Sequence, residues 1–446
     1  MTSPVLRVFP AESLLDEDVR IRLEGVEPGS RIRLVCRLHD EKGTDWVSEA
    51  EFEASAQGTV DPAEIPSLSG TYEGLDSRGL FWSMVPDPQV KGQGKFSLHD
   101  LSPLTLDLEA YGQGSFLARA MLTRVLVAGG VRRVEIREND LVGTLFLPPG
   151  PGPFPGVVDI VHSGGGLRHE PFSALLASRG IAALALAPFG TPPLSRALVE
   201  IPVERVGAAL KRLAAAEGVD PERIGVSGTS KGAELALLAA SIFPEVKAVV
   251  AFMPSSVLWS GVGRGYEKRA SWTLGGTPLP FVSPRYDRLA PRSKGPLHLE
   301  PMYRAALSEI PEDHPAWIPL ERTSAAVLLL SPEEDAVMPS ALMGSQIEMR
   351  LKKAGFARPF RHRTYPGAGH LIGSDLLPGL PTTVRHTFHP LARFAIAYGG
   401  TAAQTAEAVR MSWIETLEFL REQLGSQRPV SETGPSGVRQ PVPLSP

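Results

Sequence analysis

Gly228-Thr229-Ser230-Lys231-Gly232 constrains this chain more tightly than any other segment. The residues before it, Arg223-Ile224-Gly225-Val226-Ser227, read as a short buried strand. Those after it, Ala233-Glu234-Leu235-Ala236-Leu237-Leu238-Ala239-Ala240, read as a helix. Gly-x-Ser-x-Gly between strand and helix is the pattern of a nucleophile elbow. Such a turn is sharp, and side chains at 228 or 232 would collide with the neighbouring strand and helix. It holds the Ser230 hydroxyl out of the turn, at a helix N-terminus that favours developing negative charge. Taken alone, the five residues are equally a Gly-rich turn with an incidental serine. Their weight comes from the partners downstream.

The rest of the chain divides by rhythm. Up to about residue 128, polar and apolar residues alternate in Val19-Arg20-Ile21-Arg22-Leu23, Arg31-Ile32-Arg33-Leu34-Val35 and Leu104-Thr105-Leu106-Asp107-Leu108. Period-two runs broken by Gly and Pro turns predict a β-sandwich over 1–128. From about 130, short apolar strands alternate with helices. The strands are Gly156 to Val161, Ile181 to Leu186, Ile224 to Val226, Ala248 to Phe252 and Ala325 to Leu330; a helix is predicted from Val203 to Ala215. That alternation predicts βαβ units, hence a mostly parallel sheet with helices on both faces over 129–424. Residues 255–320, rich in Gly, Pro, Arg and Trp, interrupt it and are expected as a lid over the C-terminal edge of the sheet. The stretch 425–446 reads as a disordered tail.

Sites in such sheets form beyond the C-terminal ends of the strands. Three residues fall there. Ser230 follows the strand at Val226, Asp335 follows the strand ending at Leu330, and His370 follows Phe360-Arg361-His362-Arg363-Thr364-Tyr365. Ser, acid, His is the chain order of an α/β hydrolase. A serine hydroxyl is a poor nucleophile at neutral pH and needs a histidine to take its proton and later return it. A buried carboxylate holds that imidazole in the useful tautomer. Asp335 shares its loop with Glu333 and Glu334; Asp-x-x-x-Pro spacing to Pro339 favours Asp335, with Glu334 as runner-up. His162 also lies near the proposed site, for packing or substrate contact.

Two N–H donors are needed where an oxyanion develops. The backbone N–H of Lys231 is one. The loop His162-Ser163-Gly164-Gly165-Gly166 is expected to supply the other, through Gly164 or Gly165.

Composition narrows the alternatives. A formal charge of −4 over 446 residues leaves no electrostatic footprint for nucleic acid. Cys36 is the one cysteine, so neither an internal disulfide nor a cysteine-based metal site is expected, and the chemistry above calls for no cofactor. No apolar run reaches the length of a membrane span. Met1 to Arg7 lacks a basic stretch followed by an apolar core, and Leu444-Ser445-Pro446 is not a peroxisomal address, so a cytoplasmic protein is expected.

Further segments resemble the family of acyl-CoA thioesterases and bile acid-CoA:amino acid N-acyltransferases over nearly the whole chain. They are Gly79-Leu80-Phe81-Trp82-Ser83-Met84, Val142 to Gly150, Asp159 with Gly164 to Gly166, Ile318-Pro319-Leu320-Glu321-Arg322, Tyr365-Pro366 with Gly369-His370, and Gly399-Gly400 with Trp413. The resemblance implies an Ig-like β-sandwich followed by an α/β hydrolase, and a triad of Ser230, Asp335 and His370. It implies an acyl-CoA substrate. The acid loop departs from animal members, which carry Asp-Asp followed by His and Trp where this chain has Glu-Glu-Asp and Pro339. The transferases of the family use cysteine as nucleophile. Here position 230 is serine and Cys36 lies in the sandwich, which favours hydrolysis. The competing readings are a carboxylic-ester or dienelactone-type hydrolase, which lacks such a sandwich, an N-acyltransferase, and a scaffold without catalysis.

Overall fold

The computed structural model describes residues 3–87, 96–98, 100–263, 265–289, 295–373 and 376–425. All but Gly425 of the expected tail at 425–446 therefore lies outside the described residues.

Two sheets are complete by Val125. One has three strands, Val5–Phe9, Arg20–Glu24 and Thr59–Val60. The other has seven, with Ser115–Val125, Leu104–Gly112, Arg31–His39 and Asp45–Glu53 side by side at its centre. The two-residue period works as expected. Ile32, Leu34, Cys36 and Leu38 are buried while Arg31 and Arg37 are exposed, and Leu104, Leu106, Leu108 and Ala110 are buried on the next strand. Ile21 and Leu23 of the three-stranded sheet join the same core.

A separate eight-stranded sheet begins at Arg132. Its strands are β1 (Arg132–Glu138), β2 (Leu141–Leu147), β3 (Phe154–Ile160), β4 (Ala182–Leu186), β5 (Val219–Thr229), β6 (Ala248–Phe252), β7 (Ala326–Pro332) and β8 (Phe360–Tyr365). They lie in the order β1-β2-β4-β3-β5-β6-β7-β8. β2 is antiparallel to both neighbours, and every pairing from β4 to β8 is parallel. This is the sheet of an α/β hydrolase. β4 and β6 are buried at every position, as strands covered on both faces must be.

Alternate residues of each strand feed opposite cores. Val250, Phe252, Leu328 and Leu330 meet helices α1 (Glu170–Ser178) and α5 (Ala402–Leu424). Val249, Ala251, Val327 and Leu329 meet α2 (Glu204–Ala214) and α3 (Lys231–Ile242), with Ile347 and Leu351 of α4 (Ser340–Lys353). On α2 the buried Val206, Ala209, Leu210 and Leu213 recur at helical spacing. The first of these cores is continuous with that of the N-terminal sheets. Asp16 clasps the two halves. Its carboxylate accepts from Arg179 Nε at 2.8 Å and Nη2 at 2.6 Å, just past α1, and from Trp413 Nε1 of α5 at 2.9 Å.

Residues 255–320 leave the sheet between β6 and β7. Their short strand Trp272–Leu274 pairs with Ile201–Pro202, ahead of α2. Among the described residues no helix is long and apolar enough to cross a membrane.

Candidate active site

Ser230 joins β5 to α3 with φ +55° and ψ −115°, a conformation that L side chains rarely adopt. Its N–H donates to the Phe252 carbonyl at 2.9 Å, which ties the turn to the end of β6. The glycines on either side are required by close approach. A Cβ on Gly228 would lie 2.2 Å from the Gly232 carbonyl oxygen, and one on Gly232 would lie 2.2 Å from that of Ile160. Strain of this kind costs on the order of 1–3 kcal/mol and persists where the surroundings enforce it. The Ser230 hydroxyl rests 3.9 Å from Met338 Sδ.

β7 and β8 bring the acid and the imidazole together. His370 Nδ1 is 2.9 Å from each carboxylate oxygen of Asp335. Asp335 is 6% exposed, and its oxygens also accept from the N–H groups of Val337 (2.8 Å) and Met338 (3.1 Å) and from Ser340 Oγ (2.8 Å). Four donors thus hold the carboxylate in place. The neighbouring Glu334 is exposed. His370 is fixed from behind: its N–H donates to the Tyr398 carbonyl at 2.7 Å, and its ring stacks on Tyr398 at 6.4 Å. Ser230 and His370 line one cavity, together with His162, Ser163 and Gly164.

The loop after β3 departs from expectation. The N–H of Gly164 donates to His162 Nδ1 at 2.9 Å, and that of Gly165 to the His162 carbonyl at 3.1 Å. The loop curls back over its own histidine and engages both glycine donors expected for an oxyanion. The Ser163 N–H has no acceptor among the described residues, and Ser163 lines the cavity.

Among the described residues none of 255–320 lines this cavity; its wall includes Thr387, Phe388, Ile396 and Tyr398, from a hairpin of His386–Phe388 with Ala395–Ala397 and its continuation. The excursion grips the helix behind the serine. Lys231 Nζ, one residue past the nucleophile, is buried and donates to Glu234 (2.7 Å), Ser271 Oγ (2.7 Å) and the Trp259 carbonyl (3.3 Å). Glu234 in turn accepts from Trp272 Nε1 at 2.7 Å and the Trp259 N–H at 3.2 Å. Burial pushes the Glu234 carboxyl up and the Lys231 ammonium down from their ordinary values, and their pairing opposes both shifts. A lysine at the first position of a helix normally projects into water, so sequence reasoning passed over this pair. Its one trace in the sequence is the i, i+3 spacing of opposite charges.

Among the described residues no group of three or more His, Cys, Asp or Glu side chains is disposed to hold a metal ion.

The family model described as acyl-CoA thioester hydrolase/BAAT N-terminal region matches residues 16–138, and that described as BAAT / acyl-CoA thioester hydrolase C terminal matches residues 201–426. The chain is 31% identical to the peroxisomal succinyl-coenzyme A thioesterase of Mus musculus, over 93% of this chain and 95% of that one. It is 32% identical to the mitochondrial acyl-coenzyme A thioesterase 2 of the same organism, over 96% and 91%. The bile acid-CoA:amino acid N-acyltransferase of Mus musculus is 30% identical, over 94% and 97%.

Proposed function

This chain belongs to the family of acyl-CoA thioester hydrolases and bile acid-CoA:amino acid N-acyltransferases, and from that premise we propose that it hydrolyses acyl-CoA to free acid and CoA through an acyl-Ser230 intermediate. The observation that carries this reading is the two-oxygen hold of Asp335 on His370 Nδ1, at 2.9 Å, in the cavity that Ser230 enters from a strained turn. A ring that donates from Nδ1 to a carboxylate presents its Nε2 lone pair as the base.

Nε2 of His370 takes the Ser230 proton as Oγ bonds to the thioester carbon, and the carbonyl electron pair moves onto oxygen. The N–H groups of Lys231 and Ser163 hold that oxyanion. Collapse breaks the C–S bond, and the departing thiolate takes the proton from Nε2. Water, deprotonated by the same nitrogen, then attacks the acyl-serine and releases the acid. In this reading residues 1–128 are an Ig-like β-sandwich and 129–424 the catalytic domain; the break between sheets at Val125 and Arg132 supports the boundary.

The test is product analysis with acyl-CoA in the presence of millimolar glycine or taurine, following CoA and acyl product together. Free acid in step with CoA is expected, because water at roughly 55 M wins deacylation unless a pocket positions the amine. N-acyl amino acid as the main product would overturn hydrolysis as the reaction.

A further inference from the structure

Ser163 Oγ lies 2.8 Å from His389 Nε2, across 226 residues of sequence. The other ring nitrogen decides the direction of this bond. His389 Nδ1 accepts the N–H groups of Leu391 (3.2 Å) and Ala392 (3.1 Å), so it carries no proton. The ring proton of the neutral imidazole therefore sits on Nε2, and Nε2–H donates to Ser163 Oγ. That is the reverse of a serine paired with its base. A protonated Nε2 has no lone pair to receive the serine proton, so this pair is not a second nucleophile. It leaves the Ser163 hydroxyl with its own proton to give.

Ser163 and His389 line the same cavity as Ser230 and His370, and Ser163 stands on the loop that follows β3. We propose that the Ser163 hydroxyl, aimed by His389, is a side-chain donor to the thioester oxygen as it becomes an oxyanion. This rests on the reading of Ser230 as the nucleophile. The bond received from Nε2–H polarises the hydroxyl and makes it a better donor. A donor of this kind gains strength as the carbonyl oxygen gains charge, so it acts on the transition state more than on bound substrate. Ser163 is then a catalytic residue, and His389 a positioning residue that acts through it.

The experiment compares Ser163→Ala, Ser163→Thr, His389→Phe and the double variant Ser163→Ala/His389→Phe. The readouts are kcat, KM and affinity for two acyl-CoA analogues: a trifluoromethyl ketone, which forms a tetrahedral oxyanion with Ser230, and an unreactive thioether. Ser163→Ala should lower kcat on the order of 10²-fold and weaken the ketone in proportion, with KM and thioether affinity little changed. Threonine should restore most of the loss. His389→Phe should cost less than Ser163→Ala, and nothing further once Ser163 is alanine. Wild-type kcat in Ser163→Ala, equal weakening of both analogues, or additive losses would each overturn the proposal. If His389→Phe does not fold, the two Ser163 variants decide alone. Ser230→Ala runs alongside: turnover that survives it sinks the nucleophile itself, whereas turnover lost there and kept in Ser163→Ala sinks only the role of Ser163.

Discussion

Lys231 and Glu234 face each other at 2.7 Å within the first turn of α3, both almost entirely out of water. The pair couples the residue after the nucleophile to Trp259, Ser271 and Trp272 of the 255–320 excursion. Removing one partner leaves the other charge buried alone. Glu234→Leu should therefore cost about 3–5 kcal/mol of unfolding free energy, and the double variant Lys231→Met/Glu234→Leu distinctly less. Denaturant titration of both variants checks the order; a double variant worse than the single would mean the pair is not coupled in this way.

Strain at Ser230 gives a prediction about stability rather than rate. Ser230→Ala and Ser230→Gly both remove the hydroxyl and should both lose turnover by on the order of 10⁴-fold or more. Only glycine is at ease at φ +55° and ψ −115°. Ser230→Gly should melt above Ser230→Ala by the equivalent of about 1 kcal/mol, an amount set by relief of strain against the greater freedom of an unfolded glycine. Equal melting temperatures would mean that the elbow stores no such energy.

Asp335→Asn keeps the shape of the side chain and removes the charge that orients His370. A drop in kcat on the order of 10⁴-fold is expected. Glu334→Gln, in an exposed side chain, should stay near wild type. Steady-state kinetics on the two variants would reassign the acid if the ranking came out reversed.

Asp16 predicts how firmly the N-terminal sheets are held. Asp16→Ala strips the acceptor from Arg179 and Trp413 together. Hydrogen bonds to a charged group are worth about 1.5–3 kcal/mol, so a loss in that range should appear in chemical denaturation. A midpoint unchanged from wild type would show that the clasp contributes nothing.

His362 on β8 gives a pH dependence. Burial holds its imidazole below the ordinary value of 6.5, and the Glu348 carboxylate offsets this only in part. The unfolded chain then takes up the proton first as pH falls. The stabilising contribution is complete above about 6.5 and is lost as pH falls through the lower folded value. Melting temperature followed from pH 7.5 to 5 should decline less steeply in His362→Gln than in wild type, and matching slopes would remove His362 as the cause.

Much of the fold was legible because the signals are local. Alternation along Arg31–His39 and Leu104–Gly112, and the apolar runs at Ala248–Phe252 and Ala326–Pro332, arise from which face of each strand is buried. Strand and helix bounds fell within a few residues of expectation, as for the helix expected at Val203 to Ala215 and found at Glu204–Ala214.

The elbow was readable for the same reason. Its glycines answer to atoms close in sequence or in the adjoining strand: Gly228 to the carbonyl of Gly232, and Gly232 to that of Ile160. The sequence by itself determined that turn and the chain order of Ser230, Asp335 and His370. Only the tertiary structure decided where N–H and O–H groups point. Gly164 and Gly165 looked like oxyanion donors until backbone torsions turned them onto His162. The Lys231 side chain carries no local mark of burial; Trp259 and Ser271, 28 and 40 residues away, close over it. Ser163 acquired its partner from His389, 226 residues on. Hydrogen bonds are directional and short, and when both ends come from distant segments no periodicity in the chain records them.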